Sequence, residues 1–227
     1  MGKGLFITAT GTDIGKTYVT ALLAKHLRDN GYDCGYYKAA LSGAVKTENG
    51  LIPGDAQLVK ETAGLTDSLD SMVSYVYKNA YSPHLAAQLE GNPVEMDVVK
   101  SDYEKACKKH DFVLMEGSGG IVCPIRYDEK CKILLEDIIK ELSLPTIVVA
   151  DAGLGTINSV VLTVEYMKNR NIPVKGIILN NYNPNSEIHN DNVKMVQKIT
   201  SIPVLSLVKN GDKDIDIDTK LFTSFFI

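Results

Sequence analysis

The sequence predicts an α/β fold: a mainly parallel sheet with helices on both faces. Short apolar runs alternate with amphipathic helical patterns from one end of the chain to the other. The runs are continuous in apolar residues, as strands buried on both faces require. The first run, Gly4-Leu5-Phe6-Ile7, passes through Thr8-Ala9-Thr10-Gly11-Thr12-Asp13-Ile14-Gly15-Lys16-Thr17 directly into a helical pattern. Strand, glycine loop, helix is the setting in which Gly-Lys-Thr cradles a nucleotide phosphate. The expected class is therefore P-loop NTPase-like, with residues 1–227 forming a single α/β domain.

Each element has its own signal. Val19, Leu22, Leu23 and Leu27 keep one helical face, and Gly31 supplies the stop. Cys34 to Tyr37 reads as a second strand ending at Lys38. The polar stretch from Ser42 to Gly54 is long for a βα connection and is expected to be a functional loop. Asp55 to Ala63 reads as helix, Met72 to Tyr77 as strand, and Pro83 to Leu89 and Val94 to Lys108 as helices. Phe112 to Met115 is a buried-type strand ending at Glu116, and Leu134 to Leu142 a short helix. Thr146 to Ala150 is a strand ending at Asp151. Ile157, Val160, Val161, Val164 and Met167 mark the next helix. Val174 to Leu179 is a strand ending at Asn180, Ile188 to Ile199 a helix, and Val204 to Val208 the last strand. Asp212, Asp214, Asp216 and Asp218 alternate without the Gly and Glu of a calcium loop, and read as a solvated loop or strand face.

Composition narrows the function. A net charge of −4 leaves no electrostatic footprint for nucleic acid. The 4 cysteines, Cys34, Cys107, Cys123 and Cys131, lack zinc-site spacing and read as thiols of a reducing compartment. No signal-peptide pattern and no bilayer-length apolar run is present, so a cytoplasmic protein without membrane contact is expected. Arginine is confined to Arg28, Arg126 and Arg170, so an arginine finger is not expected in the chemistry, with Arg126 the one remaining candidate.

In open parallel sheets ligands collect beyond the carboxyl ends of the strands. Lys38, Glu116, Asp151 and Asn180 are expected there, beside the phosphate loop. Lys16 would place a point charge at the transferred group, and the Thr17 hydroxyl would ligate Mg²⁺. Glu116 opens Glu116-Gly117-Ser118-Gly119-Gly120, a position suited to a second Mg²⁺ ligand, with glycines that admit phosphates closely. Asp55 reads either as a further metal ligand or as a helix N-terminal acid. Lys38 reads either as a solvated strand-end lysine or as a neutraliser of developing charge. Asp151-Ala152-Gly153-Leu154-Gly155-Thr156-Ile157-Asn158 is another strand, glycine turn and helix start, able to hold a carboxylate or to serve only as a turn. Asn180 and Asn181 could read a base edge or form an Asx-rich turn.

Taken together, these residues in this order resemble the dethiobiotin synthetase family. The likeness runs over nearly the whole chain and is strongest at Thr10 to Thr17, Tyr37-Lys38 with Ser42-Gly43, Ser82-Pro83-His84, Glu116 to Gly120, and Gly155 to Asn158. The resemblance implies carboxylation and ring closure of 7,8-diaminononanoate with CO₂ or bicarbonate, using ATP with Mg²⁺. The diamine takes up CO₂ as a carbamate, ATP converts it to a carbamic-phosphoric anhydride, and the second amine closes the ring with release of phosphate. It implies Lys16, Lys38 and Thr12 as catalytic groups, and Thr17, Asp55 and Glu116 as Mg²⁺ ligands. Nucleotide contacts would come from Asp13, Ile14, Gly15, Lys16 and Thr17, from Asp55, from Glu116, Gly117, Ser118 and Gly119, and from Asn180 and Asn181, with Asn180 facing adenine. Substrate contacts would come from Thr12, Lys38, Ser42, Ser82, Gly155, Thr156, Ile157 and Asn158. The Gly155-to-Asn158 turn would be supplied by the neighbouring subunit of a homodimer. Two loop positions depart from the family pattern: Ala9 where Gly is usual, and Gly11 where Asp is frequent. The segment at Lys209-Asn210-Gly211 lacks the Pro-aromatic character expected near the base.

Two related P-loop ATPases are the alternatives. Amidating synthases carry an added glutaminase domain, for which this chain leaves no room. Partitioning-type switches have a signature lysine four residues before the last loop glycine, where this chain has Gly11.

Overall fold

A computed structural model describes residues 2–48 and 50–227. The chain opens with β1 (Lys3–Ala9), α1 (Lys16–Asp29) and β2 (Cys34–Ser42). A small hairpin follows, β3 (Val45–Thr47) and β4 (Gly50–Ile52), then α2 (Gly54–Ala63), α3 (Leu69–Met72) and β5 (Val73–Tyr77). Next come α4 (Pro83–Glu90), α5 (Met96–Lys109) and β6 (Phe112–Glu116), then a second hairpin of β7 (Pro124–Tyr127) and β8 (Lys132–Leu134). The last third holds α6 (Leu135–Glu141), β9 (Thr146–Asp151), α7 (Thr156–Lys168), β10 (Val174–Asn180), α8 (Glu187–Thr200), β11 (Val204–Leu207) and α9 (Thr219–Thr223).

Seven strands form one sheet in the order β11-β10-β9-β1-β6-β2-β5, and every neighbouring pair is parallel. The two hairpins are separate and antiparallel. Successive side chains of a strand point to opposite faces, and β1 shows it. Leu5 and Ile7 join a core with Val19 and Leu23 of α1, Val59 of α2 and Phe222 of α9. Phe6 joins the other core, with Tyr103 of α5, Ile138 of α6, Val164 of α7 and Val196 of α8. Helices thus cover both faces, as the apolar runs require.

The carboxyl ends of β1, β6, β9 and β10 meet along one edge. Ile7 stands opposite Glu116, Ala9 opposite Val149, and Asn180 opposite Asp151.

The structure differs from the sequence expectation in a few places. β2 does not end at Lys38 but runs on to Ser42, because its far half pairs with β5 from Lys38 opposite Val73 to Ser42 opposite Tyr77. Lys38 still lies level with the edge, since it pairs with Glu116 on its other side. The 42–54 stretch holds the β3–β4 hairpin rather than a plain loop, and the β7–β8 hairpin, α3 and α9 had no sequence expectation. These elements run from 3 to 5 residues, too short for a periodic signal to accumulate. In the 212–218 stretch, Asp214, Asp216 and Asp218 are exposed while Ile215 and Ile217 are buried between them.

Candidate active site

The loop from β1 to α1 turns sharply because two of its residues adopt left-handed backbone. Asp13 has φ 59° and Gly15, the N-cap of α1, has φ 88°. Gly15 is needed twice over: for its φ, and because a Cβ there would lie 2.1 Å from Asn180 Nδ2. Gly11 adds no such freedom: its φ is outside the left-handed region and a Cβ would meet only Ile14. The loop takes its freedom two residues further on. α1 starts with no side-chain cap and no acid in its first turn, which suits its N–H groups and dipole to an anion.

Below this loop four charges converge. Lys38 Nζ donates to Asp55 Oδ2 at 2.5 Å and to Glu116 Oε1 at 2.7 Å. Thr17 Oγ1 donates to the same Glu116 oxygen at 2.8 Å, and Lys16 Nζ lies 3.9 Å from it. Lys16, Lys38 and Glu116 are all buried. The consequences for the two lysines are opposite. Burial pulls Lys16 below the usual lysine range, and Glu116 offsets only part of that. Burial also opposes the charge of Lys38, but Glu116 and Asp55 outweigh it and hold the ammonium above that range. Asp55 is raised by burial and brought lower again by Lys38, Lys16 and Thr17, ending below the usual carboxylate range.

Lys16, Thr17, Lys38 and Asp55 border a cavity of 280 Å³, and the buried Glu116 is bonded to Thr17 and Lys38 of that lining. Thr12, Asp13, Gly15, Lys16 and Thr17 line it from the loop, Lys38, Leu41 and Ser42 from β2, and Asp55, Ser118 and Gly119 from beyond. Ser118 is held in place by donating to Ala40 O at 2.7 Å. Gly117 lies just beneath, where a Cβ would sit 2.9 Å from Phe6 and Leu135. Glu116 Oε1 accepts from both Thr17 Oγ1 and the Lys38 ammonium, and Asp55 Oδ2 accepts from the same ammonium. Two carboxylates and a hydroxyl suit Mg²⁺, which completes its shell with phosphate oxygens and water. Among the described residues no group of three or more His, Cys, Asp or Glu is placed to hold a metal ion by itself.

Other expected residues lie elsewhere. Asn180 Nδ2 donates to Ile14 O at 2.9 Å, propping the loop, while its buried Oδ1 has no partner. Asn181 Nδ2 donates to Asp151 Oδ2 at 2.6 Å. Ser82 caps the backbone start of α4 and its Oγ sits 3.0 Å from His84 Nδ1, and it is not among the residues lining the 280 Å³ cavity. Gly155, Thr156, Ile157 and Asn158 also lie outside that lining. Their turn is shaped by Asn192, whose Nδ2 donates to Ala152 O and Gly153 O. Arg126 is engaged by Glu95, Asp128 and Val94 O, so it is committed away from the loop. Cys123 lies near the site, but burial pushes its thiol up to about 11, with Lys16 and Lys38 pulling it back only in part.

The sequence reading missed Tyr36. Its hydroxyl donates to Glu116 Oε2 at 3.1 Å from a fully packed position on β2. The available signal was its place two residues before Lys38, on the same face of the strand.

A parallel sheet with an uncapped Gly-Lys-Thr helix start and a lysine-carboxylate cluster at its carboxyl edge defines the P-loop NTPase class. Solved structures agree on the fold. A chain of the Aquifex aeolicus MinC:MinD cell division protein complex superposes with TM-score 0.55 at 13% identity, over 93% of this chain and 83% of that one. Chloroplast FtsY from Physcomitrella patens gives TM-score 0.52 at 18% identity, over 99% of this chain and 64% of that one. Residues 3–213 match the family model described as an AAA domain. The sequence relatives are nearer. An ATP-dependent dethiobiotin synthetase of Brachyspira hyodysenteriae is 56% identical over 95% of this chain and 96% of its own length. Those of Clostridium botulinum and Clostridium perfringens are 48% and 51% identical, over 100% and 92% of this chain and 99% and 91% of their own lengths. The chain belongs to the dethiobiotin synthetase family. That membership sets aside the amidating synthase and the partitioning switch.

Proposed function

We propose that this protein forms dethiobiotin from 7,8-diaminononanoate, CO₂ and ATP, with Mg²⁺ as cofactor. The observation that carries the reading is the meeting of Lys16 and Lys38 with Asp55 and Glu116 beneath the phosphate loop. Phosphoryl transfer needs positioning and charge neutralisation more than a covalent nucleophile, and this cluster offers both.

The loop N–H groups and Lys16 hold the nucleotide's phosphates. Thr17, Asp55 and Glu116 would hold Mg²⁺, which supplies charge neutralisation to the transferred phosphoryl group. Lys38 and Thr12 face the cavity, where they would bind the carbamate that the diamine forms with CO₂. A carbamate oxygen attacks the γ-phosphorus and ADP departs, with Lys16 countering the charge that develops. The second amine then attacks the carbamoyl carbon, phosphate leaves, and the ureido ring closes. Ser42 would border the diamine, and the unpartnered Oδ1 of Asn180 would accept from the base's exocyclic amine.

The Gly155-to-Asn158 turn would receive the substrate carboxylate from a second copy of the chain. It is uncapped by any side chain, lies outside the cavity, and is flanked by Leu154, 93% exposed, and Leu162, 62% exposed. A homodimer would cover that apolar surface and complete two sites. Four unpaired cysteines, and no helix among the described residues long and apolar enough to cross a membrane, support a cytoplasmic enzyme.

The test is dethiobiotin formation followed by mass spectrometry, with phosphate release measured as each of diamine, bicarbonate and Mg²⁺ is omitted. Release should fall to background in each case. Equal release without the diamine would overturn the assignment in favour of a switch ATPase.

A further inference from the structure

The buried Glu116 carboxylate is met by four side chains. One oxygen, Oε1, accepts from Thr17 and Lys38 and faces Lys16. The other, Oε2, has a different partner, the Tyr36 hydroxyl at 3.1 Å. The two oxygens of one carboxylate are therefore addressed separately: functional groups on one side, a buried phenol on the other. The Tyr36 hydroxyl has Glu116 as its hydrogen-bond partner, and Tyr36 does not line the cavity at the loop.

β2 makes this arrangement possible. In the parallel register Tyr36 stands opposite Leu114 and Lys38 opposite Glu116. Residues two apart on a strand share a face, so one strand delivers a phenol and an ammonium to the same carboxylate. The Tyr36 ring belongs to the core that holds Leu22, Leu23 and Val59, and the residue is 2% exposed. A carboxylate held at one oxygen only could rotate about its last bond. Held at both, its plane is set, and Oε1 stays aimed at Thr17.

We propose that Tyr36 is the positioning residue that orients Glu116 for its metal, by donating its hydroxyl to Oε2 so that Oε1 is presented beside Thr17. The inference rests on the assignment of Glu116 as a Mg²⁺ ligand under the proposed function. Tyr36 acts through Glu116 alone.

The test is metal binding, with Mn²⁺ replacing Mg²⁺ so that free metal is counted by its paramagnetic resonance signal, in the presence of a non-hydrolysable ATP analogue. This reading needs no turnover and is independent of which product the enzyme makes. Tyr36→Phe keeps the ring and removes the donor. Mn²⁺ affinity should fall about tenfold, as for loss of a hydrogen bond to a charged group, while metal-free binding of the analogue stays as in the parent. In steady state the apparent KM for Mg²⁺ should rise with little change in the KM for ATP. A folded Tyr36→Phe with parental Mn²⁺ affinity overturns the proposal, whatever its melting temperature. Glu116→Gln supplies the second arm, which reads whether the two side chains act together. In that background, adding Tyr36→Phe should weaken Mn²⁺ no further. An equal further loss would show that Tyr36 acts by a route other than Glu116 and would also overturn the proposal. If no dethiobiotin forms but the Mn²⁺ results hold, the positioning role stands and the substrate assignment falls.

Discussion

Two turns in this molecule have nearly the same backbone and different surroundings. At the end of β1, Gly15 caps α1 with φ 88° and ψ 25°. At the end of β9, Gly155 caps α7 with φ 90° and ψ −9°. Both helices begin without a side-chain cap and without an acid in the first turn, and both carry a buried residue at their first position, Lys16 and Thr156. Both are anion-ready by the same local physics. The first gathers charges of both signs: Lys16 from within, and Lys38, Asp55 and Glu116 from neighbouring elements, whereas the second holds the Asp151 carboxylate, which accepts from Gly153 N. The second has an unpartnered Thr156 hydroxyl and the exposed Leu154. A helix start selects an anion in general. Under the proposed function, the charged side chains brought to it by the sheet would select a polyphosphate with a metal over a lone carboxylate.

Removing charge from the first turn should separate the two most sharply. Lys16→Met should weaken ATP-analogue binding by roughly a hundredfold or more, the scale seen when a preorganised charged donor is lost. The ligand-free variant should be no less stable than the parent, because burial already opposes this charge. Asn158→Ala should leave nucleotide binding unchanged and raise the KM for the diamine. Titration calorimetry on both variants checks the contrast, and equal losses of nucleotide affinity would erase it.

A shared site makes the second turn a partner's contribution, and complementation reads that directly. Lys38→Ala and Asn158→Ala should each be nearly inactive alone. In a mixed dimer one site carries both lesions and the other neither. With free exchange, half the dimers are mixed, so activity should recover to about a quarter of the parent. If mass spectrometry shows exchange and activity stays at the level of the separate variants, the turn serves its own chain.

The smallest effect concerns the glycines. Gly155→Ala places an L residue at positive φ in open space, since no atom lies within 4 Å of the added Cβ. Its cost is about 1 kcal/mol from backbone strain. Gly15→Ala carries the same strain and also displaces the Asn180 amide, only 2.1 Å from the new Cβ. Loss of the hydrogen bond to Ile14 adds about 1 kcal/mol. Urea unfolding should rank Gly15→Ala as the more destabilised, and the reverse order would mean that the loop has room the structure does not show.

The order of the seven sheet strands and the longer helices, the phosphate loop and the residues that the sheet places at its edge were legible in the sequence. They rest on local signals: apolar runs, helical periodicity, and Gly-Lys-Thr after a strand. Glu116 and Asn180 were found because an apolar run ends at each. Lys38 was found too, although β2 continues past it, because the register beside β6 and not the strand's end decides its height. Whether Asp55 was a metal ligand or a helix-end acid stayed open in the residues themselves. The structure sets its carboxylate on Lys38, across 17 residues of chain. Tyr36 and the propping bond from Asn180 to Ile14 left no local trace, since each depends on a partner 80 and 166 residues away. Sequence alone determined which turns can receive an anion, because φ, capping and the helix dipole are local. Tertiary structure decided which of them gathers the lysines and carboxylates, because electrostatics acts through space between strands that only the sheet brings side by side.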